Sequence, residues 1–251
     1  MELANKTIIV TGASSGIGAA AAILFAAEGA NLVLGARRGV ELDSLVGRIA
    51  ESKGRAVALA GDINEEAFSQ ALVALALREY GGLHGAFNNA GIMGDMGPIP
   101  EMEAANWQQV VATNLTGAFF AAKHQIPALV EGGGGSLVFT SSFVGYSNGG
   151  MPGMGAYAAS KAGMIGLALS LAADHGAQKV RVNALLPGGT KTAMAGDDPQ
   201  VRDFIAGLHG LKRMAEPDEI AQTALFLLSE RSSFVTGSAI LADGGLSSRL
   251  A

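Results

Sequence analysis

The chain has 251 residues, 49% apolar and 16% charged, with a net charge of −5 and no cysteine. That length and apolar share can fill a large core, and the lack of Cys excludes disulfides and thiolate metal sites. The sequence shows no basic stripe, and His84, His124, His175 and His209 lack ligand spacing, so neither nucleic acid nor a metal is expected. No membrane-spanning run or N-terminal leader is read from it, and a soluble cytoplasmic protein without a membrane partner is expected.

Lys6 to Val10 is a short apolar run that predicts a buried strand. Thr11-Gly12-Ala13-Ser14-Ser15-Gly16-Ile17-Gly18 follows at once, then an Ala-rich helix from Ala19 to Gly29. Strand, glycine turn and helix start form the geometry that cradles a pyrophosphate. Glycines let the backbone approach, and the helix N-terminus offers free N–H groups. A plain tight βα turn would use similar residues, and Gly-x-x-x-Gly-x-Gly differs from the usual Gly-x-Gly-x-x-Gly. Three glycines in this setting favour a dinucleotide.

Asn31 to Gly35 is the second strand. Folds that hold NAD place a carboxylate near its end for the ribose 2′-OH. Here the chain reads Gly35-Ala36-Arg37-Arg38. A carboxylate would repel a 2′-phosphate by about 4 kcal/mol at contact in an effective dielectric near 20, whereas a guanidinium binds it. Arg37 is read as the main phosphate clamp, assisted by Arg38 and Ser15, and the cofactor as NADP(H). A polar-faced helix is expected over Val40 to Ser52 and a third strand over Arg55 to Ala60. Asp62, after Gly61, either meets the adenine ring or caps a helix starting near Glu65.

Leu83 to Phe87 is the fourth strand, ending in Asn88-Asn89-Ala90-Gly91, small enough for close approach to a cofactor ribose. Glu101 to Val130 reads as one long helical stretch. Asn114 within it competes for backbone hydrogen bonds, which implies a kink or a functional polar group. Leu137 to Thr140 and Val180 to Leu185 are strands five and six, and Ala239 to Leu241 is the last. Residues 190–213 are irregular and read as a mobile lid; Pro217 to Ser229 is a helix with a Pro start. This rhythm predicts an α/β fold, a single Rossmann-type doubly wound parallel seven-stranded sheet with helices on both faces, in a single domain over 1–251.

Tyr157 and Lys161 lie four residues apart in an apolar, Ala-rich stretch. On a helix both side chains share one face. The ammonium is expected to lower the phenol pKa and make Tyr157 a proton exchanger near neutral pH.

Thr11-Gly-x-x-x-Gly-x-Gly18, Asn88-Asn-Ala-Gly91, Asn114, Ser142, Tyr157-x-x-x-Lys161, Asn183 and Pro187-Gly188 occur in that order. On these motifs the chain resembles the short-chain dehydrogenase/reductases over essentially its full length. The resemblance implies hydride transfer between a nicotinamide and an alcohol or carbonyl carbon. It implies that Tyr157 is the acid in reduction and the base in oxidation, and that Lys161 lowers the Tyr157 pKa and holds the nicotinamide ribose. Ser142 would hydrogen-bond the substrate oxygen, and Asn114 would hold a water linking Lys161 to solvent. Gly12, Ser14, Gly16, Ile17 and Gly18 would line the pyrophosphate and adenosine side, Asp62 and Ile63 the adenine, and Asn89, beside Ala90 and Gly91, the ribose. After Pro187 and Gly188, Thr192 would bind the carboxamide, with Thr190 offering backbone groups.

Two positions depart from the family. The step from Ser142 to Tyr157 is about two residues longer than usual, and Ser141 is an adjacent candidate; Ser142 is chosen because Gly145 follows it by three. Gly189 and Thr190 replace larger apolar residues. The expected enzyme is an NADP(H)-dependent carbonyl reductase, reversible as an alcohol dehydrogenase. A 3-oxoacyl-thioester reductase is the alternative, with Lys191, Arg202, Lys212 and Arg213 as a landing site for an acidic carrier. A silent NADP-binding sensor or scaffold is the alternative of another class. The resemblance also implies a homotetramer, compatible with small apolar faces at Ala118 to Ala122 and Ala168 to Ala172.

Overall fold

The structure is a computed structural model that describes residues 1–147 and 151–248. Among these, seven strands form one parallel sheet in the order β3-β2-β1-β4-β5-β6-β7. They are β1 (Thr7–Thr11), β2 (Asn31–Ala36), β3 (Arg55–Ala60), β4 (Gly85–Asn88), β5 (Gly135–Thr140), β6 (Val180–Pro187) and β7 (Ala239–Ala242). Parallel strands covered on both faces must be apolar throughout, and β1 is buried at every residue. One face packs on α3 (Glu66–Tyr80), α5 (Gly117–Glu131) and α6 (Gly155–His175), through Leu72, Ala122 and Met164. The other packs on α1 (Gly16–Ala27), α2 (Gly39–Glu51) and α8 (Pro217–Leu228), through Phe25, Leu45 and Leu225. Strand order reverses between β1 and β4, and the crevice beyond their carboxyl ends is where open α/β sheets bind ligands.

Several expectations are corrected. Glu101 to Val130 is not one helix: a 3₁₀ turn (Ile99–Glu101) precedes α4 (Ala104–Val111), and a π turn (Ala112–Thr116) separates it from α5. Asn114 sits in that wide turn, the irregularity its residue type implied. The lid is not irregular, because it contains α7 (Pro199–Leu208), whose start is capped by Asp198 accepting from the Gln200 N–H at 2.8 Å. Asp62 does not cap α3; its Oδ1 accepts from the backbone and side chain of Asn64, and the N-cap is Glu65.

Residues 155–178 are long and apolar enough to span a membrane, against expectation. One face of this segment packs on β6, with Lys161, Met164 and Ala168 buried, and a third of its apolar stretch is buried. In the stretches 118–122 and 168–172, Ala118, Ala121, Ala122, Ala168 and Ala172 are buried in the chain's own core, while Phe119 and Leu169 are exposed. Of the long loop before Tyr157, Asn148, Gly149 and Gly150 lie outside the described residues.

Candidate active site

A cleft of about 800 Å³ runs across the carboxyl ends of the strands, from Arg37 and Arg38 at one end to Val201 and Phe204 of α7 at the other. The nucleotide half begins at the turn after β1. Gly12 and Gly16 adopt φ of +66° and +55°, a left-handed conformation that glycine reaches without strain. A Cβ on Gly12 would lie 2.9 Å from the Ala90 Cα, and one on Gly18 only 2.3 Å from the Gly12 carbonyl oxygen. The first turn of α1 therefore lies against β1 and β4 with its N–H groups unused by the helix.

Arg38, not Arg37, closes on this turn. Its guanidinium donates to Ser14 Oγ at 2.9 Å and Ser15 Oγ at 2.7 Å, and pairs with Glu41 at 3.6 Å. Arg37 is exposed and has no hydrogen-bond or ion-pair partner among the described residues. Asp62 and Ile63 border the same end, as do Ile17, Asn89, Ala90 and Gly91.

Thr11 heads the glycine motif without an assigned role in the sequence, and its Oγ1 accepts from the backbone N–H groups of both Asn89 and Ala90. Thr140 Oγ1 donates to Asn89 Oδ1 at 3.2 Å, which fixes Asn89 between β1 and β5. Asn88 faces away from the cleft and exchanges two hydrogen bonds with Gln125 in the core. Asn183 likewise has a scaffold role: it donates to the Val235 carbonyl and accepts from the Ser238 N–H.

At the seam between the two halves stand Ser142, Tyr157, Lys161 and Asn114. The Ser142 hydroxyl is hydrogen-bonded to the Tyr157 phenol. Ser141 turns away and donates to the Lys161 carbonyl at 2.7 Å. Lys161 Nζ donates to the Thr140 carbonyl at 2.7 Å and lies 5.5 Å from the Tyr157 ring centre. Asn114 Oδ1 accepts from the Ile92 N–H, and its Nδ2 donates to the Ile92 carbonyl and to Ser160 Oγ. A Cβ on Gly91 would lie 3.1 Å from Asn114 Oδ1 and 3.3 Å from Lys161 Nζ, so the three converge. The Asn114 side-chain amide is engaged with protein groups at both ends.

The expected sign of the tyrosine shift is reversed. The ring keeps partial exposure to the cleft, yet desolvation pushes its pKa up to about 12, and Ser142 opposes this in part. Desolvation also pulls Lys161 down to about 7. Burial disfavours the charged form of each group. A neutral phenol held by Ser142 is poised to give a proton to a carbonyl oxygen.

Pro187, Gly188, Thr190 and Thr192 line the cleft after β6. Thr190 Oγ1 donates to the Gly188 carbonyl at 3.0 Å, and Thr192 Cγ2 would touch a Cβ on Gly16 at 3.0 Å. The glycine turn and this loop therefore meet. These groups fit a dinucleotide: free helix N–H groups and two guanidiniums at one end, small residues along the middle, and Tyr157 and Lys161 at the other. A bound nicotinamide supplies or accepts the hydride there. The substrate end is lined by Met93, Met96, Phe143, Met154, Met194 and Phe204.

A family model described as Enoyl-(Acyl carrier protein) reductase matches residues 12–247. The chain is 41% identical to 2,5-dichloro-2,5-cyclohexadiene-1,4-diol dehydrogenase of Sphingobium indicum, over 97% of this chain and 98% of that one. It is 34% identical to the cyclohexanol dehydrogenase of an Acinetobacter species, over 98% and 96%. Among solved structures, levodione reductase superposes with a TM-score of 0.94 at 30% identity, covering 99% of this chain and 100% of that one. The chain belongs to the short-chain dehydrogenase/reductase family and is an oxidoreductase that moves hydride between a nicotinamide cofactor and an alcohol or carbonyl carbon.

Proposed function

We propose that this enzyme uses NADP(H) and interconverts uncharged alicyclic secondary alcohols and their ketones. The supporting observation is the distribution of charge along the cleft. Among the described residues, its charged lining side chains are Arg37, Arg38, Asp62 and Lys161. Two guanidiniums border the nucleotide end and the end of β2 carries no carboxylate, which supports NADP(H) over NAD(H). The substrate end is thioether and aromatic, which rewards apolar surface and penalises a buried charge. The names of the relatives point the same way, toward six-membered carbon rings bearing oxygen.

In this reading Tyr157 protonates the carbonyl oxygen during reduction, Ser142 orients that oxygen, and Lys161 holds the nicotinamide ribose. The basic residues of the acyl-carrier alternative are each engaged on the surface. Lys191 pairs with Glu216, Arg202 with Asp197 and Arg213 with Glu219, while Lys212 Nζ donates to the Gly207 carbonyl.

The test is initial-rate kinetics with NADPH and NADH on cyclohexanone, on a carboxylated cyclohexanone and on a 3-oxoacyl thioester. NADPH with cyclohexanone should be preferred. Replacing Arg37 and Arg38 together by Asp should reverse the cofactor preference, each lost charged hydrogen bond being worth about tenfold or more. A wild-type preference for NADH, or for the carboxylate, would overturn the reading.

We further propose a cytoplasmic homotetramer. Exposed Trp107, Phe119 and Leu169 on α4, α5 and α6, and exposed Phe234 and Leu241 near the C-terminus, support two apolar contact surfaces. Light scattering on the purified protein tests the subunit number.

A further inference from the structure

His209 is 2% exposed. Its ring stands between two segments that both line the cleft. Nδ1 lies 2.7 Å from the Ile205 carbonyl within α7, and Nε2 accepts from the backbone N–H of Gly189 at 3.0 Å. These partners assign the ring proton to Nδ1, which leaves Nε2 as an acceptor for an amide that no strand or helix satisfies.

The fit around the ring is close. A Cβ on Gly188 would lie 2.8 Å from His209 Nε2. One on Gly189 would lie 2.3 Å from Ile205 Cγ2 and 2.9 Å from His209 Cε1. Two successive glycines thus let α7 seat directly on the backbone after β6. Gly189 also accepts from the Ala215 N–H, which joins that loop to the approach to α8. On one side of the His209 contact are Thr190 and Thr192 of the cofactor half. On the other are Val201, Phe204 and Ile205 of the substrate half.

We infer that His209 is a positioning residue that latches α7 to the loop after β6, so that cofactor affinity and substrate affinity are set through one hydrogen bond. The inference rests on the proposed function only in that the loop after β6 borders the bound cofactor. His209 touches neither ligand. Its acceptor holds the Gly189 amide, and thereby the spacing between Thr190, Thr192 and the apolar face of α7.

Two amide substitutions separate the halves of the latch. In His209→Gln the side-chain oxygen reaches the Nε2 position and keeps an acceptor for Gly189. In His209→Asn the amide reaches the Nδ1 position, keeps the Ile205 bond and loses Gly189. The measurements are the Kd of NADPH, read by quenching or enhancement of nicotinamide fluorescence, the KM and kcat for cyclohexanone, and the Tm without cofactor.

His209→Asn should raise both Kd and KM roughly five- to tenfold with kcat nearly unchanged, and His209→Gln should restore both. Gly189→Ala, which leaves His209 chemically intact but wedges α7 away, should raise Kd in the same way and serves if His209→Asn does not fold. Variants that lower Tm but bind NADPH like the wild type would overturn the latch. So would equal losses in His209→Gln and His209→Asn, since the acceptor would then not matter. A wild type that binds no NADPH would overturn the cofactor reading itself, a different result from any of these.

Discussion

The two ends of the cleft are built from different materials. At the nucleotide end the wall is backbone: Gly12, Gly16 and Gly18 leave no room for a side chain, and Thr11 and Thr140 fix Asn89 between strands. At the substrate end the wall is side chain: Met93, Met96, Met154 and Met194 beside Phe143 and Phe204, carried on loops and on α7. A backbone wall is rigid and recognises a constant feature, the pyrophosphate. Thioethers are flexible and adapt to irregular apolar shapes. The difference shows how one scaffold keeps its cofactor while changing its alcohol. Tyr157 stands at the seam, so its loss should damage neither wall. Tyr157→Phe should lower turnover about 10²- to 10⁴-fold, the usual worth of a positioned proton donor. Fluorescence titration should show NADPH still bound; lost binding would mean that the seam belongs to the nucleotide wall.

The nucleotide wall should break as a unit. In Gly18→Ala the new methyl would stand 2.3 Å from the Gly12 carbonyl oxygen, a backbone atom that cannot rotate away. Forced overpacking costs about 1–3 kcal/mol, and here it displaces the turn that meets the pyrophosphate. The Kd of NADPH should rise tenfold or more, with the KM for the ketone little changed when cofactor saturates. An equal rise in both would blur the division between the ends.

What the sequence revealed follows the same division. The central strands are buried and read as apolar runs, and with the edge strands β3 and β7 all seven were placed to within about two residues. Glycine turns and the Tyr157–Lys161 pair carry their chemistry in short spacings. The substrate end does not. α7 has a legible start in Asp198-Pro199, an N-cap followed by Pro at the first helical position, but its Gly- and charge-containing body hid it. His209 and Asn106 act on backbone groups 20 and 11 residues away, and no periodicity marks such contacts. The tyrosine shift was misread because spacing reports a neighbouring charge but not burial, which is the largest cause of the shift.

Burial at the seam has a consequence for stability that pH exposes. Lys161 titrates at about 7 in the fold, against an ordinary lysine value of 10.5. Between those values the unfolded chain holds a proton that the native chain has released, so raising the pH favours the native state. The penalty of burying the ammonium is fully present below pH 7 and is relieved by pH 10.5. Relative to Lys161→Met, the wild type should gain stability as pH climbs through that window, measured by urea unfolding at fixed salt. A constant difference would mean that Lys161 stays charged in the fold.

The smallest effect is expected where the substrate wall is pinned from behind. Asn106 is buried on α4 and grips the loop after β4 at two points. Its Oδ1 accepts from the Asp95 N–H at 2.9 Å, and its Nδ2 donates to the Asp95 carbonyl at 2.9 Å. Gly94, at φ +73°, lets the loop turn against it, since a Cβ there would lie 2.6 Å from Asn106 Oδ1. Asn114 holds Ile92 in the same two-point manner. Between and beside these clamps the loop presents Met93 and Met96 to the substrate. Asn106→Ala frees the outer clamp and leaves two backbone groups to find water, worth about 1 kcal/mol. The KM for cyclohexanone should rise about fivefold, with the Kd of NADPH unchanged because Asn89 and Ala90 remain tied to Thr11 of β1 and Ile92 to Asn114. A matching change in NADPH affinity would show that the walls move together through the β4 loop, and the rigid end would then owe part of its rigidity to the adaptable one.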